Sequence, residues 1–136
     1  MAAIAGNSIS TFGGNPLATR GALANLDYLE KHQLQANART QGATLTAGLK
    51  KLQQKHAFIG EVRGKGLMIG IELVNADRSP SKDKTKRLLE ETKKRGLLIG
   101  MGGFYGNVIR LAPPLSVTAE ECRRALAIIE ESLAAA

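Results

Sequence analysis

Two short segments contain residue types whose spacing could support binding chemistry. The first, residues 10–16, reads Ser-Thr-Phe-Gly-Gly-Asn-Pro and stands just before a helix start. Hydroxyls, backbone N–H groups and the positive end of a helix dipole can together bind a phosphate. The alternative is a capped helix with a flexible lead-in, in which Ser10 and Thr11 only end a turn. The residues alone favour that simpler interpretation.

The second segment, residues 105–114, has an arginine inside an apolar strand. Arg110 stands between Ile109 and Leu111, so the two-residue period of a strand turns it to the opposite face. A guanidinium held there can bind a carboxylate through two charge-assisted hydrogen bonds, which contribute about 1.5–3 kcal/mol. The alternative, equally weighted, is that Arg110 faces solvent or pairs with a nearby Asp or Glu.

Other candidate residues are weaker. The Gly-Lys-Gly triplet at 64–66 lacks the spacing of a phosphate-binding loop and predicts a hairpin turn. His32 and His56 lie near predicted helix ends, and Cys122 lies on an apolar helix face, where a buried, inert thiol is the usual state. One cysteine and two histidines cannot fill a tetrahedral zinc site, so no metal is expected. A single cysteine excludes an internal disulfide and predicts a reducing, cytoplasmic location.

The elements that position these segments alternate between helix and strand. Asn15-Pro16 predicts a helix start, with Asn as N-cap and Pro in the first turn, and that helix runs to about residue 31. A second helix spans about residues 33–54. Short β-branched stretches at 58–63 and 67–74 predict an antiparallel hairpin.

The remainder of the chain predicts two more helices and two more strands. Residues 82–95 form a helix closed by Gly96, and strands follow at 97–99 and 107–111, joined by a flexible glycine stretch. Thr118 with Glu121 forms a capping box for the last helix. The fold class is therefore α+β: a small antiparallel sheet of about four strands with helices on one face, preceded by a separate helix.

Composition sets limits on the class of protein. The 136 residues have a formal net charge of +7 and are 43% hydrophobic, and no apolar run is long enough to span a bilayer. The basic residues are spread along predicted helices, where solvated faces and helix-end charge explain them, and aromatic residues make up only 4%. We expect neither nucleic acid nor membrane as a partner.

Four motifs in one order resemble a known family. They are Ser-Thr-Phe-Gly-Gly-Asn-Pro-Leu-Ala (10–18), Val-Arg-Gly-Lys-Gly-Leu-Met (62–68), Gly-Leu-Leu (96–98) and Asn-Val-Ile-Arg-Leu-Ala-Pro-Pro-Leu (107–115). Together they resemble the C-terminal third of class III aminotransferases, which are fold-type I enzymes that use pyridoxal 5′-phosphate (PLP). The form of the last motif looks most like the alanine–glyoxylate (type 2-like) and 4-aminobutyrate branches.

The resemblance implies roles for individual residues. Thr11 matches the threonine that binds the PLP phosphate from the neighbouring subunit, and Ser10 is a weaker candidate beside it. Arg110 matches the arginine that holds the substrate carboxylate. The resemblance also divides the chain into a loop from the cofactor-binding region (1–14), an interdomain helix (15–32) and the small C-terminal domain (33–136).

The chain departs from the family where catalysis is concerned. The family's cofactor-binding lysine, the aspartate that pairs with the pyridine nitrogen and the stacking aromatic all lie upstream of the first motif. Residues 1–9 contain no Lys, Asp or aromatic residue. No catalytic residue is therefore expected here, and we expect the isolated chain to be inactive and to lack PLP. Its expected partners are its own large PLP domain and a second subunit, as a homodimer or a larger assembly.

The reaction implied for the whole protein is transfer of an amino group from an amino acid or ω-amino acid to a 2-oxo acid. Three alternatives stay open at this point. One is a stand-alone binding or regulatory module that kept the fold without the chemistry. Another is a basic module that binds nucleic acid. The third is a family aminomutase or decarboxylase, since reaction choice depends on residues outside this chain.

Overall fold

In the computed structural model, which describes residue 11 and residues 13–135, the chain forms four helices and one four-stranded antiparallel sheet. In chain order the elements are α1 (Pro16–Lys31), α2 (Leu34–Lys55), β1 (Ile59–Lys65), β2 (Met68–Leu73), α3 (Lys82–Lys94), β3 (Gly100–Gly102), β4 (Val108–Leu111) and α4 (Ala119–Ala135). This confirms the predicted α+β fold. The chain divides into two compact units, residues 1–33 and residues 34–136.

The first unit contains α1, whose start follows the predicted signal. The side chain of Asn15 accepts a hydrogen bond from the backbone N–H of Ala18 at 2.9 Å, and Pro16 occupies the first turn. No residue of α1, all of which the structure describes, is buried. Large apolar side chains along it are exposed, namely Leu17, Leu23, Leu26 and Tyr28.

The second unit begins with α2, which runs one residue later at each end than its predicted span. Gln33 has a φ of +51°, which is incompatible with a right-handed helix and so delays the start. α2 has an apolar stripe at helical spacing, with Leu45, Leu49 and Leu52 all buried in the core. This stripe packs against the sheet and against α4.

The predicted hairpin is confirmed, with a tighter turn than the glycine triplet suggested. β1 continues through Lys65, which pairs with Met68, so the turn consists of Gly66 and Leu67. Gly66 has a φ of +56°, which glycine adopts at little cost. Leu67 is buried at this turn and extends the core beneath it.

The predicted strand at residues 97–99 is wrong: β3 instead covers Gly100–Gly102, inside the stretch expected to be flexible. The backbone N–H of Leu97 bonds to the carbonyl of Thr92, so these residues still close the end of α3. The strand begins where the chain can pair with β4, and that pairing depends on a long-range partner rather than on local propensity.

The sheet has the strand order β1-β2-β4-β3, and every neighbouring pair is antiparallel. Alternate residues face the helices, and the buried members of this face are Ile59, Val62, Ile69, Ile71, Leu73, Ile109 and Leu111. The opposite face carries the polar strand residues, and we call it the open face. Its members include Glu61, Arg63, Gly70, Glu72, Val108 and Arg110. The register of the strands decides which of these side chains stand beside Arg110.

The end of α3 and the start of α4 follow the predicted signals. Gly96 has a φ of +83° after α3, and Thr118 and Glu121 form the capping box of α4. The Glu121 backbone N–H donates to the Thr118 hydroxyl at 3.2 Å, and the Glu121 carboxylate accepts from the Thr118 N–H at 2.8 Å. The backbone N–H of Thr118, and next its hydroxyl, donate to the Glu121 carboxylate and hold its pKa below the ordinary value.

Candidate active site

Arg110 lies on β4 where the strand alternation predicts it. Its neighbours Ile109 and Leu111 are buried on the helix-covered face, at 0% and 7% exposure, while Arg110 projects from the open face and is exposed. Because β4 is an inner strand paired on both sides, its backbone is held by both neighbours. The guanidinium is therefore carried by a rigid part of the sheet, which suits a receptor that must keep a fixed geometry.

Glycines stand opposite Arg110 on both neighbouring strands. Gly70 of β2 and Gly100 of β3 are its register partners. A Cβ placed at Gly100 would stand 3.8 Å from Nε of Arg110, so the arginine side chain lies across β3. Glycine inside a strand commonly marks a close approach by a ligand or another group. Gly100 leaves room for the Arg110 guanidinium, whereas the space at Gly70 is bordered by the side chains of Val108 and Arg63.

The two arginines of the open face differ in whether they form ion pairs. Arg63 of β1 forms ion pairs with Glu61 at 2.5 Å and with Glu72 at 2.6 Å. Arg110 has no ion pair or hydrogen bond from its guanidinium to any residue in the described part of the chain. A charged group with five donors and no protein partner is available to an anion. The alternative in which Arg110 pairs with a nearby Asp or Glu is therefore not what the structure shows.

An apolar groove adjoins Arg110. It has a volume of about 240 Å³ and is lined mainly by aliphatic side chains, among them Leu97, Ile99, Leu111 and Pro113, with Gly100 and Arg110 at its polar edge. A cation beside an apolar wall can bind an organic anion, with the charged group on the cation and the hydrocarbon part against the wall. Leu97 and Ile99, which do not form a strand, contribute to this wall instead.

The pairing of Glu72 and its neighbours was not anticipated from sequence. Asn107 is buried at 3% exposure, and its side chain donates to Oε1 of Glu72 at 3.3 Å and to the carbonyl of Leu73 at 3.2 Å. Hydrogen bonding to Arg63, and less strongly to Asn107, holds the pKa of Glu72 below its ordinary value. These partners come from different strands and loops, so no local pattern in the sequence singled them out.

Thr11 belongs to the first unit, residues 1–33. It lies in an exposed bend, followed by a turn at Gly13-Gly14 in which Gly14 has a φ of +75°. Its hydroxyl is thus available as a donor shortly before the capped start of α1. Ser10, the weaker candidate beside it, lies outside the described residues.

Within residues 11 and 13–135, no group of three or more His, Cys, Asp or Glu side chains could hold a metal ion. None of the helices in the same part of the chain combines the length and apolar character needed to cross a bilayer. Cys122 is buried among apolar side chains, and burial raises the pKa of its thiol.

Comparison with solved structures identifies the class of protein. A phospholyase from Arthrobacter in complex with phosphoethanolamine matches with a TM-score of 0.90 and 34% identity, over 95% of this chain and 31% of its own. A PLP-bound amine transaminase from an uncultivated Pseudomonas species matches with a TM-score of 0.84 and 36% identity, over 94% of this chain and 29% of its own. The fold is thus shared with enzymes that include PLP-dependent aminotransferases.

The family follows from the sequence comparison. Residues 1–133 match the model of the class-III aminotransferases, so the chain belongs to the class-III aminotransferase family. An alanine–glyoxylate aminotransferase 2 homolog, mitochondrial, from Arabidopsis thaliana is 44% identical over 82% of this chain and 24% of its own length. An alanine/serine racemase from Pyrococcus horikoshii is 37% identical over 94% and 27%. The chain spans about a quarter of the length of these curated relatives.

Proposed function

We propose that this chain is the substrate-carboxylate-binding part of a PLP-dependent transaminase that moves an amino group from an amino acid or ω-amino acid to a 2-oxo acid. The observation that carries the proposal is the unpaired guanidinium of Arg110 on an inner strand, between Gly70 and Gly100 and beside an apolar groove. Arg110 binds the carboxylate through parallel N–H donors. The groove receives the aliphatic part of the substrate and excludes water from it.

Thr11 has the second role in this proposal. Its exposed hydroxyl donates a hydrogen bond to the phosphate of PLP in the neighbouring subunit, and Ser10 stands beside it as a weaker donor. PLP, when bound, supplies the electron sink for amino transfer. The residues of this chain bind and orient: Thr11 fixes the phosphate end of the cofactor, and Arg110 fixes the carboxylate end of the substrate.

The partners in this proposal are the protein's own large PLP domain and a second subunit. Support comes from α1, whose apolar residues Leu17, Leu23 and Leu26 are exposed in this chain. Such a surface is typical of a helix that packs on another domain or subunit. We place the protein in the cytoplasm, which the one cysteine of this chain, the buried Cys122, favours.

A second candidate is a family member with a different reaction. The similarity to an alanine/serine racemase and to a phospholyase favours it, since those relatives share this part of the fold. Racemisation and amino transfer both require a bound substrate carboxylate, so Arg110 has the same role in either. Product analysis with an amino acid and a 2-oxo acid separates the two: a transaminase gives a new amino acid, whereas a racemase needs no acceptor.

The test of the Arg110 assignment uses the protein that carries this chain together with its PLP domain. Arg110→Ala removes a charge-assisted bidentate contact, so KM for a carboxylate substrate rises by about 10- to 100-fold. Arg87→Ala, on the exposed side of α3, is the matched control and leaves KM unchanged. An unchanged KM in Arg110→Ala removes this arginine from the substrate site.

The Thr11 assignment has a binding test. Thr11→Val keeps the shape of the side chain but loses the hydroxyl, and it weakens PLP retention measured by equilibrium dialysis. Thr11→Ser keeps the hydroxyl and serves as the control with near-normal retention. Equal cofactor affinity in Thr11→Val and the unchanged protein refutes the phosphate role.

A further inference from the structure

Arg63 and Arg110 stand in one row across the open face. Arg63 pairs in register with Gly70, Gly70 with Arg110, and Arg110 with Gly100. The next row contains Glu61, Glu72, Val108 and Gly102, again paired strand by strand. Two glutamates are thus set one row away from a guanidinium that must stay available for substrate.

Glu72 is the carboxylate placed to compete with a substrate for the Arg110 guanidinium. It lies on β2, next to β4, and stands diagonally from Arg110 because Gly70 is opposite Arg110 and Val108 is opposite Glu72. Diagonal neighbours on one face of an antiparallel pair are about 7–8 Å apart at their Cα atoms, within reach of long side chains. Gly70 puts no side chain of its own between them, and the nearest neighbour is Val108, whose Cγ1 would stand 3.3 Å from a Cβ at Gly70.

Both oxygens of Glu72 are occupied elsewhere. Oε2 accepts from Nη1 of Arg63 at 2.6 Å, and Oε1 accepts from Nδ2 of Asn107 at 3.3 Å. Arg63 binds Glu61 through the same nitrogen at 2.5 Å. The stem of Arg63 also covers Gly70, where a Cβ would stand 3.9 Å from its Cγ. Arg63 therefore holds one carboxylate oxygen of Glu72 toward β1, while Asn107 holds the other.

We infer that Arg63 is a positioning residue for substrate selection: by holding Glu72 it keeps the Arg110 guanidinium free for the carboxylate of a substrate. This inference rests on the proposed role of Arg110. Without Arg63, Glu72 turns to Arg110 and competes with the substrate from within the protein. The effect falls on carboxylate recognition and spares steps that do not involve Arg110.

A purely structural role for Arg63 makes a different prediction. Glu61 and Glu72 are directly opposite each other on neighbouring strands, and like charges so placed repel. Arg63 could serve only to relieve that repulsion. In that case, neutralising either glutamate compensates equally for the loss of Arg63, and nothing specific happens at Arg110.

The experiment compares Arg63→Met, which keeps the apolar stem over Gly70, with two double variants in the protein that carries its PLP domain. The substrate is one amino acid, offered as the free carboxylate and as its methyl ester. In Arg63→Met we expect KM for the carboxylate to rise about three- to fivefold, the range of an exposed ion pair. KM for the ester stays unchanged.

The double variants decide between the two roles. Arg63→Met with Glu72→Gln restores KM for the carboxylate, whereas Arg63→Met with Glu61→Gln does not. Equal restoration by both overturns the inference in favour of relieved repulsion. Failure of the Glu72→Gln combination to restore KM also overturns it, because Arg63 would then contact the substrate itself. Arg63→Gln replaces Arg63→Met throughout if the latter does not fold.

A crystal structure of the Arg63→Met variant gives a readout independent of activity. We expect a carboxylate oxygen of Glu72 within about 4 Å of the Arg110 guanidinium, the limit for an ion pair. A Glu72 that stays on Asn107 alone overturns the inference. Arg110→Ala distinguishes a failure of this inference from a failure of the Arg110 assignment. If KM rises in Arg110→Ala but not in Arg63→Met, only this inference is wrong. If KM is unchanged in both variants, the Arg110 assignment is wrong as well.

Discussion

The side chain of Arg110 lies across Gly100 of the neighbouring strand, so that a Cβ at Gly100 would stand 3.8 Å from Arg110 Nε and 3.5 Å from the Arg110 carbonyl oxygen. Both distances are ordinary van der Waals contacts, so alanine fits at this position. A larger side chain would occupy the space that the guanidinium uses. The glycine therefore sets how much space the Arg110 guanidinium has.

Gly100→Val is expected to raise KM for carboxylate substrates about tenfold, because its methyl groups displace the guanidinium. Gly100→Ala is expected to change KM less than Gly100→Val does. Gly102→Val is the matched control on the same strand, since a Cβ there meets nothing within 4 Å. Steady-state kinetics of the three variants checks this. Equal effects at both glycines would mean that β3 is simply intolerant of branched residues.

The contact between α2 and the hairpin turn predicts a stability effect. A Cβ at Gly42 would stand 2.2 Å from the carbonyl oxygen of Gly66, which is backbone and cannot move aside cheaply. Gly42→Ala is expected to lower the free energy of unfolding by about 2 kcal/mol or more. Urea unfolding of the chain measures it.

The control for that variant is Gly21→Ala in α1. A Cβ at Gly21 meets nothing within 4 Å, and alanine is favoured over glycine inside a helix by about 1 kcal/mol. Gly21→Ala is therefore expected to leave stability unchanged or raise it slightly. Equal destabilisation by the two variants would contradict the close approach at Gly42.

The ion pair on the open face predicts a dependence of stability on acid pH. The pKa of Glu72 lies below its ordinary value, chiefly because Arg63 donates to its carboxylate. A depressed pKa stabilises the folded chain above the ordinary carboxyl pKa of about 4.3, and that stabilisation is lost as the pH falls through the folded value. The contribution is at most about 1 kcal/mol, because both side chains are partly exposed.

Glu72→Gln removes this contribution, so the free energy of unfolding should fall less steeply between pH 5 and acid pH (about pH 3, below the ordinary carboxyl pKa). Urea titrations at a series of pH values measure the slope. Glu120→Gln, at an exposed position of α4, is the control that keeps the original slope. An identical slope in Glu72→Gln would show that the ion pair with Arg63 does not stabilise the fold.

If the cofactor-binding lysine lies in the PLP domain, as we propose, the chain alone should not form a covalent adduct with PLP. Incubated with PLP and then with borohydride, the chain should give no stoichiometric adduct at one lysine, because the family's cofactor-binding lysine precedes the Ser-Thr-Phe-Gly-Gly motif. Peptide mapping by mass spectrometry measures this. The protein with its PLP domain is the positive control. One fully labelled lysine in the chain alone would overturn the expected inactivity.

Much of the local structure could be predicted because its causes are local. Asn15 and Pro16 set the start of α1, and Thr118 with Glu121 sets the start of α4, through hydrogen bonds between residues three apart. The alternation around Arg110 predicted its face correctly. The strand at 97–99 was wrong because Leu97 and Ile99 have strand-like side chains, whereas β3 forms where a partner strand can pair with it.

By itself, then, the sequence determined the helices, the hairpin and the isolated position of Arg110 between Ile109 and Leu111. The tertiary structure decided what surrounds that arginine. Gly70 and Gly100 lie 40 and 10 residues from it along the chain, and only the sheet register puts one on each side. The same register puts Glu72 within reach of Arg63, and Arg110 has no ion pair within the described part of the chain. Register is fixed by turns and by burial of one face of the sheet, which are properties of the assembled core and not of any single segment.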